Sequence, residues 1–147
     1  MNAELLESLL GQMESETLDF KSAQYDLASE HGRISFVKDV VCMANTPREG
    51  VSHIVLGVQK YADGRCDLTG VTAHPDDALL QSQFSDRVYP VPTFSYTPTV
   101  IRGQQCGVIE IPPVRVGPCL PTKDSGNMLR QWQMYFRRGS TRPGKGG

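Results

Sequence analysis

Apolar positions fall at helical spacing in two early stretches and at strand spacing, or in continuous runs, through most of the rest. Leu5, Leu6, Leu9 and Leu10 share one side of a helix over residues 3–10, with Asn2 as N-cap and Gly11 as stop. Gln12–Glu16 then leads into a strand over 17–21. Strand alternation sends Leu18 and Phe20 to the core and Thr17, Asp19 and Lys21 to the other face. Ile34, Val37, Val40, Val41 and Ala44 predict a second helix over about 33–45, ended by Pro47 and Gly50. Within 52–61, Ile54-Val55-Leu56-Gly57-Val58 reads as a central strand covered on both faces. Its Gly57 marks a bulge or a close backbone approach. A tight turn at 62–65 precedes a returning strand over 66–71.

The second half reads as mostly strand. Pro75 and two Asp residues open a predicted third helix over 74–89. Strands over 94–101 and 106–111 flank Arg102-Gly103-Gln104-Gln105, a hairpin signal. Residues 112–121 are Pro-rich and read as an extended crossing. Over 131–138, Trp132, Met134 and Phe136 alternate with Gln131, Gln133 and Tyr135, which predicts a half-buried strand. The sum is one α+β domain over 1–138, with a mixed sheet and about three helices. Residues 139–147 read as a flexible basic Gly- and Pro-rich tail, or a lead into a further domain.

Composition narrows the function classes. A length of 147 residues suits one domain with a real core. The formal net charge of −1 gives no global pull toward nucleic acid or membrane, so any polyanion site must be a local patch. Cys42, Cys66, Cys106 and Cys119 form no C-x-x-C pair, and none has a His at ligand spacing. Cys42 lies in an apolar helical pattern and reads as a buried thiol, which points to a reducing compartment, cytoplasmic or, in a eukaryote, nuclear. No apolar run approaches the roughly 20 residues of a membrane helix, and the N-terminus lacks a basic region followed by an apolar one.

The segment Glu14-Ser15-Glu16-Thr17-Leu18-Asp19-Phe20-Lys21 holds the densest candidate chemistry. Acids beside a base on a rigid element can hold a metal, orient a water or meet a phosphate. They can equally be a solvated sheet face. Glu14, Glu16 and Asp19 converge only if the chain bends between Glu14 and Thr17. Arg137, Arg138, Arg142 and Lys145 form a basic cluster near the other end, with Arg130 upstream. Arg137 and Arg138 point to opposite faces if their strand continues, so one can join the acidic face and the other the rim. The cluster suits phosphate contacts or, equally, neutralisation of the acidic segment. The loop from Asn45 to Gly50, with Arg48, is the third candidate. Neither a Gly-x-Gly-x-x-Gly motif nor a phosphate loop is present, and no Gly-x-Ser-x-Gly elbow.

Four blocks, in order, resemble the AlbA_2 (Schlafen AlbA_2-like) family. Glu14–Lys21 resembles its Glu-Ser-x-x-x-Glu-Phe-Lys opening, with Asp19 in place of the second Glu. Val40-Val41-Cys42-Met43-Ala44-Asn45-Thr46 is similar to its helix ending, and Ile54–Val58 with Leu68–Val71 to its Leu-Ile-Gly-Val strand and return. Tyr135–Pro143 resembles its closing Tyr-x-Arg-x-Gly-Ser-x-Thr. The resemblance implies an α+β fold like one lobe of the Schlafen core, and a DNA- or RNA-binding module, regulatory in many members. On that reading Lys21, Arg137, Arg138 and Arg142 are the expected phosphate contacts, with Arg48 at the rim. It also implies an alternative. In vertebrate Schlafen nucleases acting on tRNA and rRNA, the metal-binding acids fall here on Glu14 and Asp19, with Lys21 beside them. Mg²⁺ or Mn²⁺ would then be needed, and two lobes, hence a homodimer of this chain. The family's third acid is replaced by Gln59-Lys60, which leaves Asp63 as the nearest substitute. A Lys there would repel the metal. A third reading is a protein-interaction or oligomerisation module of a longer protein.

Overall fold

In a computed structural model, residues 1–113 and 117–139 are described in full and 141–146 by their backbone. The elements in chain order are α1 (Ala3–Leu10), β1 (Leu18–Lys21), α2 (Glu30–Asn45), β2 (Ser52–Leu56), β3 (Val58–Lys60), β4 (Cys66–Leu68), α3 (Asp77–Ser82), β5 (Val88–Tyr89), β6 (Ser95–Ile101), β7 (Gln104–Ile111), β8 (Leu120–Pro121), β9 (Met134–Arg138) and β10 (Thr141–Gly146). The central sheet runs β1-β2-β7-β6. β1 is parallel to β2, and the other two pairings are antiparallel. This is the mixed-sheet α+β domain the sequence predicts.

The alternation in β1 splits the core in two. Leu18 and Phe20 join Val55, Val108 and Ile101 under α1, which contributes Leu6, Leu9 and Leu10. The opposite face carries Ile54, Leu56, Ile109 and Ile111 and is covered by α2. Asn2 caps α1, its Oδ1 accepting the Leu5 N–H at 2.8 Å. Leu5, expected on the apolar side, is 42 % exposed. α2 starts at Glu30, three residues before its apolar pattern, because Ser29 caps it and accepts the Gly32 N–H at 2.9 Å. Phe36 of α2 is fully buried, with edge contacts to Tyr25, Phe84 and Phe94 at 5.3–5.8 Å. Truncating such a ring costs about 3–5 kcal/mol.

Four stretches differ from the sequence reading. The run over 52–61 is two strands in two sheets, broken at Gly57, whose φ is +98°. A Cβ there would lie 3.0 Å from the Gly70 carbonyl carbon, so the turn needs glycine. The predicted helix over 74–89 shrinks to Asp77–Ser82. Asp76 makes no side-chain cap bond, and the chain re-enters as β5 against β8. Tyr89 precedes Pro90, which favours extended backbone. In β9 the buried side chains are Tyr135 and Arg137, while Trp132 is 60 % exposed and Met134 and Phe136 are half-buried. The apolar half of that alternation therefore faces outward. The backbone of 141–146, which the sequence marks as a flexible tail, runs antiparallel to β9.

Candidate functional site

The acidic segment folds back on itself before β1. Ser15 and Leu18 form a one-residue bridge, with the Ser15 N–H donating to the Leu18 carbonyl at 2.9 Å. This bend carries Glu14 alongside Asp19, and Glu14 Oε2 accepts the Phe20 N–H at 3.1 Å. Glu16 does not join them. It is exposed, and its Oε1 accepts the Gly139 N–H at 3.3 Å.

Asp19 lies under α2, 7 % exposed. Lys21, two residues along the same face, places Nζ 3.2 Å from Asp19 Oδ2 and 3.5 Å from Asp39 Oδ2. Asp39 comes from α2, is 1 % exposed, and accepts the Tyr25 hydroxyl at 2.5 Å. Arg137 enters from β9. Its Nη1 is 3.7 Å from Asp19 Oδ2, its Nη2 donates to the Ser15 carbonyl at 2.9 Å, and its backbone N–H donates to Thr46 Oγ1 at 2.9 Å. The site thus joins the segment before β1, β1 itself, α2 and β9.

The carboxyls titrate apart. Burial pushes Glu14 up to about 7, reinforced by its hydrogen bond with Asp19. Burial also pushes Asp19 up, but the Glu14 hydrogen bond and the charges of Lys21 and Arg137 outweigh it and hold Asp19 below the usual range. Lys21 thus faces both Asp19 and Asp39, and Arg137 faces Asp19. Buried charges persist only when paired in this way.

This donor set does not fit a divalent ion. Magnesium needs carboxylate oxygens converging at about 2.1 Å. Here the Lys21 ammonium stands between Asp19 and Asp39, and burial pushes the third carboxyl, Glu14, up to about 7. Asp63 is exposed and caps its own turn, accepting the Arg65 N–H at 2.9 Å. Among the described residues no three His, Cys, Asp or Glu side chains gather to hold a metal. Lys60, expected to repel a metal, points elsewhere. Its Nζ donates to the Leu10 carbonyl at 2.6 Å, at the C-terminal end of α1. The cation opposing a metal is Lys21.

The proposed phosphate contacts are dispersed. Lys21 and Arg137 lie in the cluster. Arg48 caps the C-terminal end of α2, donating to the Met43, Ala44 and Thr46 carbonyls at 2.8–3.1 Å and to the Pro112 carbonyl. That explains why a cation follows the helix and removes those donors from the rim. Arg138 is exposed, its guanidinium 5.6 Å from the Phe136 ring centroid. The side chain of Arg142 lies outside the described residues.

Sequence reasoning missed Asp39 and Tyr25, although an Asp inside the apolar run Val37–Val41 was a legible signal. It also missed a second polar chain at the sheet's far edge. Gln24 Nε2 donates to Tyr96 Oη at 2.9 Å, Tyr96 Oη meets His74 Nδ1 at 2.7 Å, and His74 Nε2 meets Gln105 Oε1 at 3.2 Å. Gly107 makes room for it, since a Cβ there would lie 2.1 Å from Tyr96 Oη.

A mixed sheet with a helix and a basic strand closing over an acid–base cluster at its edge defines the class of domain. The chain belongs to the Schlafen AlbA_2 family, whose profile matches residues 14–142. Its fold is similar to the N-terminal domain of a protein from Nitrosomonas europaea named as ATP-dependent DNA helicase RecG-related. That match has 21% identity and a TM-score of 0.59, over 88% of this chain and 86% of that one. It is also similar to the DIP2311 protein from Corynebacterium diphtheriae, with 20% identity and a TM-score of 0.57. The match covers 94% of this chain but 25% of that one. At these identities the likeness concerns the fold. No curated protein matches the sequence. Among the described residues no helix is long and apolar enough to cross a membrane.

Proposed function

We propose that this domain binds nucleic acid, DNA or RNA, through the ribbon of β9 and β10, and that the acid–base cluster anchors the ribbon rather than hydrolysing a phosphodiester. The observation that carries this reading is the opposite fate of two adjacent arginines. Arg137 turns inward to Asp19, whereas Arg138 is left exposed over Phe136. Arg142 and Lys145 follow on the partner strand of the ribbon. Family membership and the helicase-related name of one structural neighbour support the nucleic-acid class. Contacts of this kind grip phosphates, so affinity falls steeply with salt and sequence preference is weak.

Anisotropy titrations with single-stranded DNA, duplex DNA and tRNA at low and high salt test the proposal. Binding at low salt that weakens in high salt is expected, and absence of binding at low salt removes it. Cleavage of tRNA in Mg²⁺ or Mn²⁺ that disappears in the Glu14→Ala, Asp19→Ala double variant would replace it with the nuclease reading.

A further inference from the structure

Trp132 is the chain's single tryptophan, and the fold displays it instead of burying it. Its φ is +62°, a region that bulky residues rarely adopt. The turn that carries it is tied down on all sides. The Trp132 N–H donates to the Pro121 carbonyl at 2.8 Å and Gln133 N–H to the Arg130 carbonyl at 3.1 Å. Gln131 N–H donates to Asp124 Oδ1 at 2.9 Å, and Arg130 N–H to Tyr135 Oη at 3.0 Å. The ring is therefore exposed on a fixed backbone, not on a loose loop.

Its surroundings repeat the theme. Tyr89 is 73 % exposed and pairs with Leu120, next to the Pro121 that holds Trp132, so two exposed rings flank the short strand β8. Two residues beyond Trp132, β9 begins its outward face with Met134, Phe136 and Arg138. Lys123 follows Pro121 by two residues and Arg130 precedes Trp132 by two; both are more than half exposed, in ion pairs with Asp86 at 3.2 Å and Asp124 at 3.6 Å. Pairs this exposed hold their cations weakly and give way to a phosphate.

We infer that this surface is a stacking platform for single-stranded nucleic acid, with a base on Trp132, a neighbouring base on Tyr89, and backbone phosphates met by Lys123, Arg130 and Arg138. The inference rests on the nucleic-acid reading above and deepens it, because stacking selects unpaired bases. Single-strand sites combine cations that track the backbone with aromatic faces that accept any base. A protein partner would also use exposed aromatics, but Lys123 and Arg130 near the rings in sequence, with Arg138 further along β9, favour a polyanion.

Intrinsic fluorescence tests it directly, since Trp132 is the only tryptophan. Titration with oligo(dT) or oligo(U) is expected to quench it saturably. Trp132→Asn keeps a residue that tolerates positive φ. It is expected to weaken oligo(dT) binding roughly tenfold, at an unchanged salt slope and melting temperature, while Trp132→Phe retains most of the affinity. If anisotropy reports oligonucleotide binding but fluorescence does not change and Trp132→Asn binds normally, the platform falls and the proposed function stands. If no nucleic acid binds at low salt, both fall. If fluorescence changes with protein concentration alone, and no oligonucleotide binds, the surface belongs to contacts between copies of the chain.

Discussion

The two faces of β9 use the same residue types for opposite ends. On the inner face Tyr135 and Arg137 are 2 % and 3 % exposed. The Tyr135 ring lies under Lys38 Nζ at 4.9 Å, and its carbonyl accepts Asn45 Nδ2 at 2.9 Å. On the outer face Phe136 is half-buried and Arg138 exposed, with an aromatic–cation contact that no acid answers among the described pairs. The difference shows that a basic motif is not one object. Alternation hands every second cation to the core, where its charge is cancelled, and leaves the other to the solvent and to any polyanion in it.

Replacing Arg137 should have the largest effect. Arg137→Met strips Asp19 of a cation and the Ser15 carbonyl of its donor, leaving a buried carboxylate short of charge. Breaking a buried pair from one side costs about 3–5 kcal/mol, readable as a lower urea midpoint. A variant that unfolds normally yet no longer binds nucleic acid would break the comparison, because the inner face would then be a contact surface too. Tyr25→Phe should be milder. It removes the hydroxyl from Asp39 Oδ2 while Lys21 remains, and a hydrogen bond to a charged group contributes about 1.5–3 kcal/mol.

The inner cluster also has a pH signature that the outer face lacks. The folded chain raises Glu14 from an ordinary 4.5 to about 7, so the folded state holds that proton more tightly than the unfolded state. Its contribution is present in full below about 4.5 and is lost as pH rises through about 7. Asp19 runs the other way. Its lowered value contributes above the ordinary 3.8 and is lost as pH falls through the folded value. Glu14 therefore lowers the melting temperature between mildly acidic and alkaline buffer, while the buried His53, held below its ordinary 6.5, works the other way. The Glu14→Gln profile should accordingly fall less steeply than the wild type. A Glu14→Gln profile parallel to the wild type across this window would detach Glu14 from Asp19.

The sheet, both flanking helices and the acid–base encounter were legible because each rests on a local period. Leu18 and Phe20 against Asp19 and Lys21 is one alternation, and it fixes both the core face and the site face. What escaped was decided by contacts distant in sequence. Nothing local tells that Arg48 reaches Pro112, or that Lys60 seeks the end of α1. The alternation over 131–138 was legible too, but its sign was not. Asn45 ties the Tyr135 backbone down from 90 positions away, and Arg137 is drawn in by Asp19, so the polar parity is the buried one. Asp39 shows the same limit. An Asp in an apolar helix announces a partner without saying that the partner is Lys21.

The smallest expected change in stability tests the outer face most sharply. Arg138→Ala removes an exposed guanidinium whose visible partner is the Phe136 ring, so unfolding free energy should move by less than about 0.5 kcal/mol. Its effect should appear in binding. The loss of one phosphate contact weakens affinity for every sequence alike and lowers the slope of log K against log salt by about one. Arg137→Met and Arg138→Ala then form a matched pair, adjacent in sequence and alike in charge removed. If the ribbon's outer face is the contact surface, stability separates them in one direction and salt dependence in the other. If both variants lose stability and neither alters the salt slope, β9 is scaffold on both faces and the polyanion surface lies elsewhere on the domain.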